Sequence, residues 1–75
     1  MRHYKNLSGD SGVTAYESGP GWIKIRFNNG TVYLYSDASA GVDNIAQMQC
    51  LAEAGRGLST YIAQKVHEGF AKRLL

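Results

Sequence analysis

The segment "WIKIRFNNGTVYLY", residues 22–35, restricts the fold more than any other part of the chain. Two runs of alternating β-branched, aromatic and charged residues flank an Asn-Gly pair. That pair is favoured in a two-residue type I′ turn, because both positions need positive φ. A two-residue turn at Asn29-Gly30 sets Phe27 opposite Val32, Arg26 opposite Tyr33, Ile25 opposite Leu34 and Lys24 opposite Tyr35. Alternation then gathers Ile23, Ile25, Phe27, Val32 and Leu34 on one side. Trp22, Lys24, Arg26, Thr31, Tyr33 and Tyr35 fall on the other. A slip of one residue would exchange the two sides, and burying Lys24 and Arg26 costs too much to permit it.

The rest of the chain is read around this hairpin. Residues 13–18 form a further strand, joined to it through "SGPG". A four-residue loop, Ser18 to Gly21, sets Tyr16 opposite Ile23 and turns it coreward, whereas another closure puts it on the aromatic side. From about Ser39 the texture changes to Ala, Gln, Leu and Met at helical spacing. A first helix starts between Ser39 and Asp43, ends near Ala54 before Gly55, and carries Ile45, Met48, Leu51 and Ala52 as its apolar stripe. Ser59 caps a second helix in which Ile62, Val66 and Phe70 share a face. Strands followed by helices indicate an α+β domain: a three-stranded antiparallel β-meander with two C-terminal helices packed on one face. The chain of 75 residues has room for one such domain, residues 13–75, preceded by a flexible leader, residues 1–12.

Composition excludes several classes. Hydrophobic content of 44% and charged content of 19% are those of a folded domain. No apolar run approaches the roughly 20 residues needed to cross a bilayer, and the N-terminus lacks the apolar core of a signal peptide. The one cysteine, Cys50, rules out a disulfide framework within the chain and fits a reducing cytoplasm. It lies in the middle of the first helix and is expected to be a small buried thiol. His3 and His67 have no partner at metal-ligand or catalytic spacing. "GDSG" at 9–12 has no Asp–His framework around Ser11, and "AGRG" at 54–57 lacks the lysine of a phosphate loop. No metal, cofactor or catalytic activity is expected.

The order of parts resembles the KTSC domain, a small domain found at the C-terminus of some lysyl-tRNA synthetases and as stand-alone bacterial proteins. The similarity spans roughly Val13 to Val66: "AYES", "IRFNNGTVYLY", the helix, "AEAGRG" and "LSTYI". The family's Tyr-x-Tyr corresponds to Tyr33-Leu34-Tyr35. "LSTYI" departs from the aromatic-Asn pattern of the family, and the chain continues beyond the family's usual end through "HEGFAKRLL". The resemblance implies no chemistry; RNA binding is the role suggested for the family.

The candidate site is therefore Trp22, Lys24, Arg26, Tyr33 and Tyr35 on the outward side of the sheet, with Tyr16 as a weaker sixth. Bases stack on such rings while the cations meet phosphates, as on sheet platforms for single-stranded RNA. The same residues would equally anchor a protein partner or a second copy of the chain, by the face or by a sheet edge. A purely structural role competes with both, either as cross-strand cation–π pairs or as a minor core beneath the second helix or the leader. Neither tyrosine belongs to the expected core, so replacing both by Ala is expected to leave the fold recognisable.

Overall fold

A computed structural model describes residues 1–7, 9 and 11–75; Ser8 and Asp10, which belong to the expected leader, lie outside the described residues. The architecture is α+β, with an antiparallel sheet of five strands in sequence order and helices on one side. The strands are β1 (Arg2–His3), β2 (Val13–Gly19), β3 (Trp22–Phe27), β4 (Val32–Ser36) and β5 (Lys72–Arg73). Between β4 and β5 come α1 (Asp37–Ala40), α2 (Val42–Ala54) and α3 (Leu58–Tyr61), the last widening into a π-helical turn, Ile62–Val66. The two outermost strands extend the expected three-strand meander at both edges.

The β2–β3 connection is tighter than expected. Gly19 pairs with Trp22, leaving a two-residue Pro20-Gly21 turn in which Gly21 has φ 76°. Pro followed by a positive-φ Gly is the requirement of a type II turn. Gln49 of α2 donates from Nε2 to the carbonyls of Gly19 (2.9 Å) and Trp22 (3.0 Å), tying the turn to the helix. Tyr16 accordingly faces Ile25, not Ile23, and is buried on the core side.

The β3–β4 register differs from the sequence expectation by one residue, with consequences for every side chain of β4. Trp22 pairs with Ser36, Ile23 with Tyr35, Lys24 with Leu34, Ile25 with Tyr33, and Arg26 with Val32. The loop holds three residues, because Phe27 N–H donates to Thr31 O (2.8 Å) and Gly30 N–H to Phe27 O (2.9 Å). Only Gly30 has positive φ (86°), so the loop is a type I turn closed by a left-handed glycine. The added residue turns β4 over relative to β3. Lys24 and Arg26 keep their outward positions, so their charge does not oppose this register.

Tyr35 (2% exposed) and the half-buried Tyr33 consequently point into the core. They join Tyr4, Val13, Tyr16, Ile23, Ile25, Ile45, Met48, Ala52, Leu58, Ile62 and Val66. The stripe of α2 is as expected, and Gly55 caps it in the left-handed conformation (φ 79°). The helix starts at Val42, inside the expected window, and a short extra helix, α1, precedes it after Ser36, whose N–H donates to Ser39 Oγ (3.0 Å). Cys50 is exposed, being roughly 200° around the helix from Met48.

Both chain ends depart from expectation. Residues 1–12 were expected to form a loose leader, yet Arg2 pairs with Tyr16 and His3 with Ala15. Tyr4 is 1% exposed, and its hydroxyl accepts the Leu58 N–H at 3.3 Å. A single large aromatic supplies the burial that the polar run around it lacks. At the other end, the second helix stops at Val66 instead of continuing through Phe70. His67 turns with φ 53°, and the chain returns to lay β5 along β4. Phe70 stacks on Tyr33 at 4.4 Å between ring centroids.

Candidate functional site

Residues directly paired across antiparallel strands share a side of the sheet, so the register assigns the outer face residue by residue. One row runs Glu17, Lys24, Leu34, Lys72 across β2 to β5. A second runs His3, Ala15, Arg26, Val32 across β1 to β4. A third is Gly19, Trp22, Ser36. The apolar stripe of α2 and the buried residues of α3 pack with Ile23, Ile25 and Tyr35 on the opposite side. Helical cover therefore lies away from this face.

Of the five residues singled out in the sequence, the fold brings together Trp22, Lys24 and Arg26 and separates Tyr33 and Tyr35 from them. Tyr33 and Tyr35 lie beneath Phe70, with ring centroids 4.4 and 6.2 Å from it and 6.4 Å from each other. Burial, reinforced by the neighbouring Tyr33, pushes the Tyr35 hydroxyl up from its ordinary value to about 12. Such a group stays neutral and belongs to the core. Tyr16 is in the core as well, with the Arg2 guanidinium 5.8 Å from its ring centroid.

The fold adds residues in place of the lost rings. Lys72 arrives through β5 on the far side of Leu34 from Lys24, and His3 arrives through β1 on the far side of Ala15 from Arg26. Three basic residues, Lys24, Arg26 and Lys72, thus share the face with one carboxylate, Glu17, opposite Lys24. Arg26, Lys72, His3 and Glu17 are exposed; Trp22, Lys24 and Leu34 are half-buried.

Trp22 is held in a defined place. A Cβ on Gly19 would come within 2.6 Å of the indole Cε2, Cζ2 and Nε1 atoms, so the ring lies directly against the Gly19 backbone. The Lys24 ammonium stands 5.4 Å from the ring centroid, within cation–π range. The indole is therefore fixed on one side by glycine and on another by a cation. Lys72 was missed as a member of the site because its position depends on a pairing made between distant parts of the chain. The one local signal was the cluster Lys72-Arg73 itself.

Among the described residues no group of three His, Cys, Asp or Glu side chains could hold a metal, and no helix is long and apolar enough to cross a membrane. No family model matches the chain, and neither curated proteins nor solved structures yield a match.

Proposed function

We propose that the chain is a non-catalytic binding domain whose outer sheet face takes single-stranded nucleic acid, with RNA as the ligand suggested by the resemblance to the KTSC domain. The observation that carries this reading is the row in which Lys24 and Lys72 flank Leu34, next to Arg26 and the indole of Trp22. Cations on one sheet face, beside one ring held against glycine, suit a backbone of phosphates with a base stacked on the indole.

Magnitudes make the binding weak and electrostatic. One stacked base contributes about 1–3 kcal/mol, against an association cost of about 4–15 kcal/mol. Phosphate contacts must supply the remainder. Three such contacts give a log–log salt slope near −2, at ~0.7 per contact for single strands. Docking by strand addition is the weaker reading. The two edge strands are two residues each and carry Arg2, Lys72 and Arg73, a short and charged form that discourages it.

The test is a titration of ¹⁵N-labelled protein with mixed-sequence single-stranded RNA at low salt. Shifts are expected at residues 22, 24, 26, 34 and 72, and they shrink steeply as salt rises. Lys24→Glu combined with Lys72→Glu removes them while leaving the core-facing amides unchanged. A spectrum unmoved by RNA overturns the nucleic-acid reading and leaves the face to a protein partner.

A further inference from the structure

The C-terminal strand is attached in a way that favours exchange between two copies of the chain. Residues 70–75 lie along β4 through Ala71 N–H to Leu34 O (2.6 Å), Leu74 N–H to Val32 O (2.7 Å) and the pairing of Tyr33 with Arg73. Their apolar anchor is Phe70 on Tyr33. The connection that folds this segment back is short and strained. His67 has φ 53° and ψ −119°, a region that residues with a side chain rarely occupy. At Gly69, a Cβ would meet Val66 O at 3.0 Å, Val66 Cγ1 at 3.3 Å and Ser39 O at 3.4 Å. The amino-acid pattern over the same residues is helical, with Ile62, Val66 and Phe70 four apart.

Two arrangements of the hinge thus compete. In one, His67 adopts its strained conformation and β5 pairs with its own β4. In the other, the helix continues past Val66, His67 relaxes, and residues 70–75 reach the β4 edge of a second copy. The contacts made by β5 are the same in both, so the balance is set by hinge strain and by concentration.

We propose that the chain forms a domain-swapped dimer in which each copy supplies residues 70–75 to the β4 edge of the other. The occupant of that edge is a second copy of this chain because the segment already fits there residue for residue. Both forms retain Lys72 beside Leu34.

Two hinge variants act in opposite directions. His67→Gly removes the strain from the folded-back form and weakens dimerisation by about tenfold or more. Gly69→Ala obstructs that form and favours the continuous helix, so it strengthens dimerisation. Light scattering after size exclusion, from dilute to concentrated protein refolded from denaturant, reads both effects. Exchange itself is tested in a Cys50→Ser background by mixing a Leu34→Cys chain with a Lys72→Cys chain, refolding together and oxidising. A mixed disulfide dimer is expected to dominate over either homodimer, since residue 34 of one chain faces residue 72 of the other only in the swapped pair, and in the folded-back form each cysteine faces a residue of its own chain that has no thiol. A statistical mixture of the three dimers, or monomers at every concentration for wild type and Gly69→Ala alike, overturns the proposal.

Discussion

Replacing Tyr35 by Ala, beside the same replacement at Leu34, separates the observed register of β4 from the one a two-residue turn would impose. With Ile23 opposite Tyr35, the tyrosine is 2% exposed and Leu34 is a half-buried outer residue. Truncating a large buried aromatic costs about 3–5 kcal/mol. The edge-to-face contact with Phe70, at 6.2 Å and 90°, belongs to a class worth about 0.5–1.5 kcal/mol beyond area burial. Tyr35→Ala is therefore expected to cost about 4 kcal/mol. Leu34→Ala removes a side chain only half withdrawn from water, for about 1 kcal/mol.

A domain this small sits near the lower end of the usual 5–15 kcal/mol, so the first loss approaches its whole stability. Urea unfolding followed by circular dichroism reads both. With a slope of about 1 kcal/mol/M, Tyr35→Ala lowers the midpoint by about 4 M, or leaves no folded baseline, and Leu34→Ala by about 1 M. The inverted register requires the opposite ranking, with Leu34 the costly position. If Leu34→Ala is the more damaging change at an unaltered slope, the assignment of the two faces is wrong. The candidate site then falls with it.

Gly19→Ala places a methyl group where the Trp22 indole lies and is expected to cost about 1–3 kcal/mol, with an altered tryptophan emission as the displaced ring meets water. Alkaline unfolding tests Tyr35. Its hydroxyl is raised to about 12 in the folded chain, against about 10 when unfolded, so its contribution is complete below pH 10 and is lost as pH rises towards 12. A two-unit shift corresponds to at most about 2.7 kcal/mol, and nearby solvent reduces this to on the order of 1–2. Tyr35→Phe should flatten this alkaline limb of stability against pH, measured by urea titration at each pH. An unchanged limb would assign it to other groups.

Local patterning was sufficient for the side-chain directions of β3 and for the apolar stripe of α2, though not for Cys50, which was expected to be buried and is exposed. Lys24 and Arg26 cannot be buried without partners, so alternation alone decided which way Ile23 and Ile25 point. The 3.6-residue spacing of Ile45, Met48 and Ala52 likewise needs no knowledge of the rest of the molecule. No such penalty acts on β4. Val32 and Leu34 on one side, and Tyr33 and Tyr35 on the other, are both acceptable in a core, so alternation there is ambiguous. Asn28-Asn29-Gly30 accommodates a loop of two residues or three, and one residue exchanges the sides.

The arrivals at the sheet edges were beyond local reading for a different reason. β1 and β5 are two residues long, too short to show a period. Their pairing depends on anchors elsewhere, Tyr4 under Leu58 and Phe70 on Tyr33. The amino-acid sequence by itself determined an α+β chain with an outward pair of cations next to a tryptophan. Only the tertiary structure decided that two tyrosines leave that face and a distant lysine enters it. Burial of aromatic surface and pairing between remote strands are settled when the whole core closes.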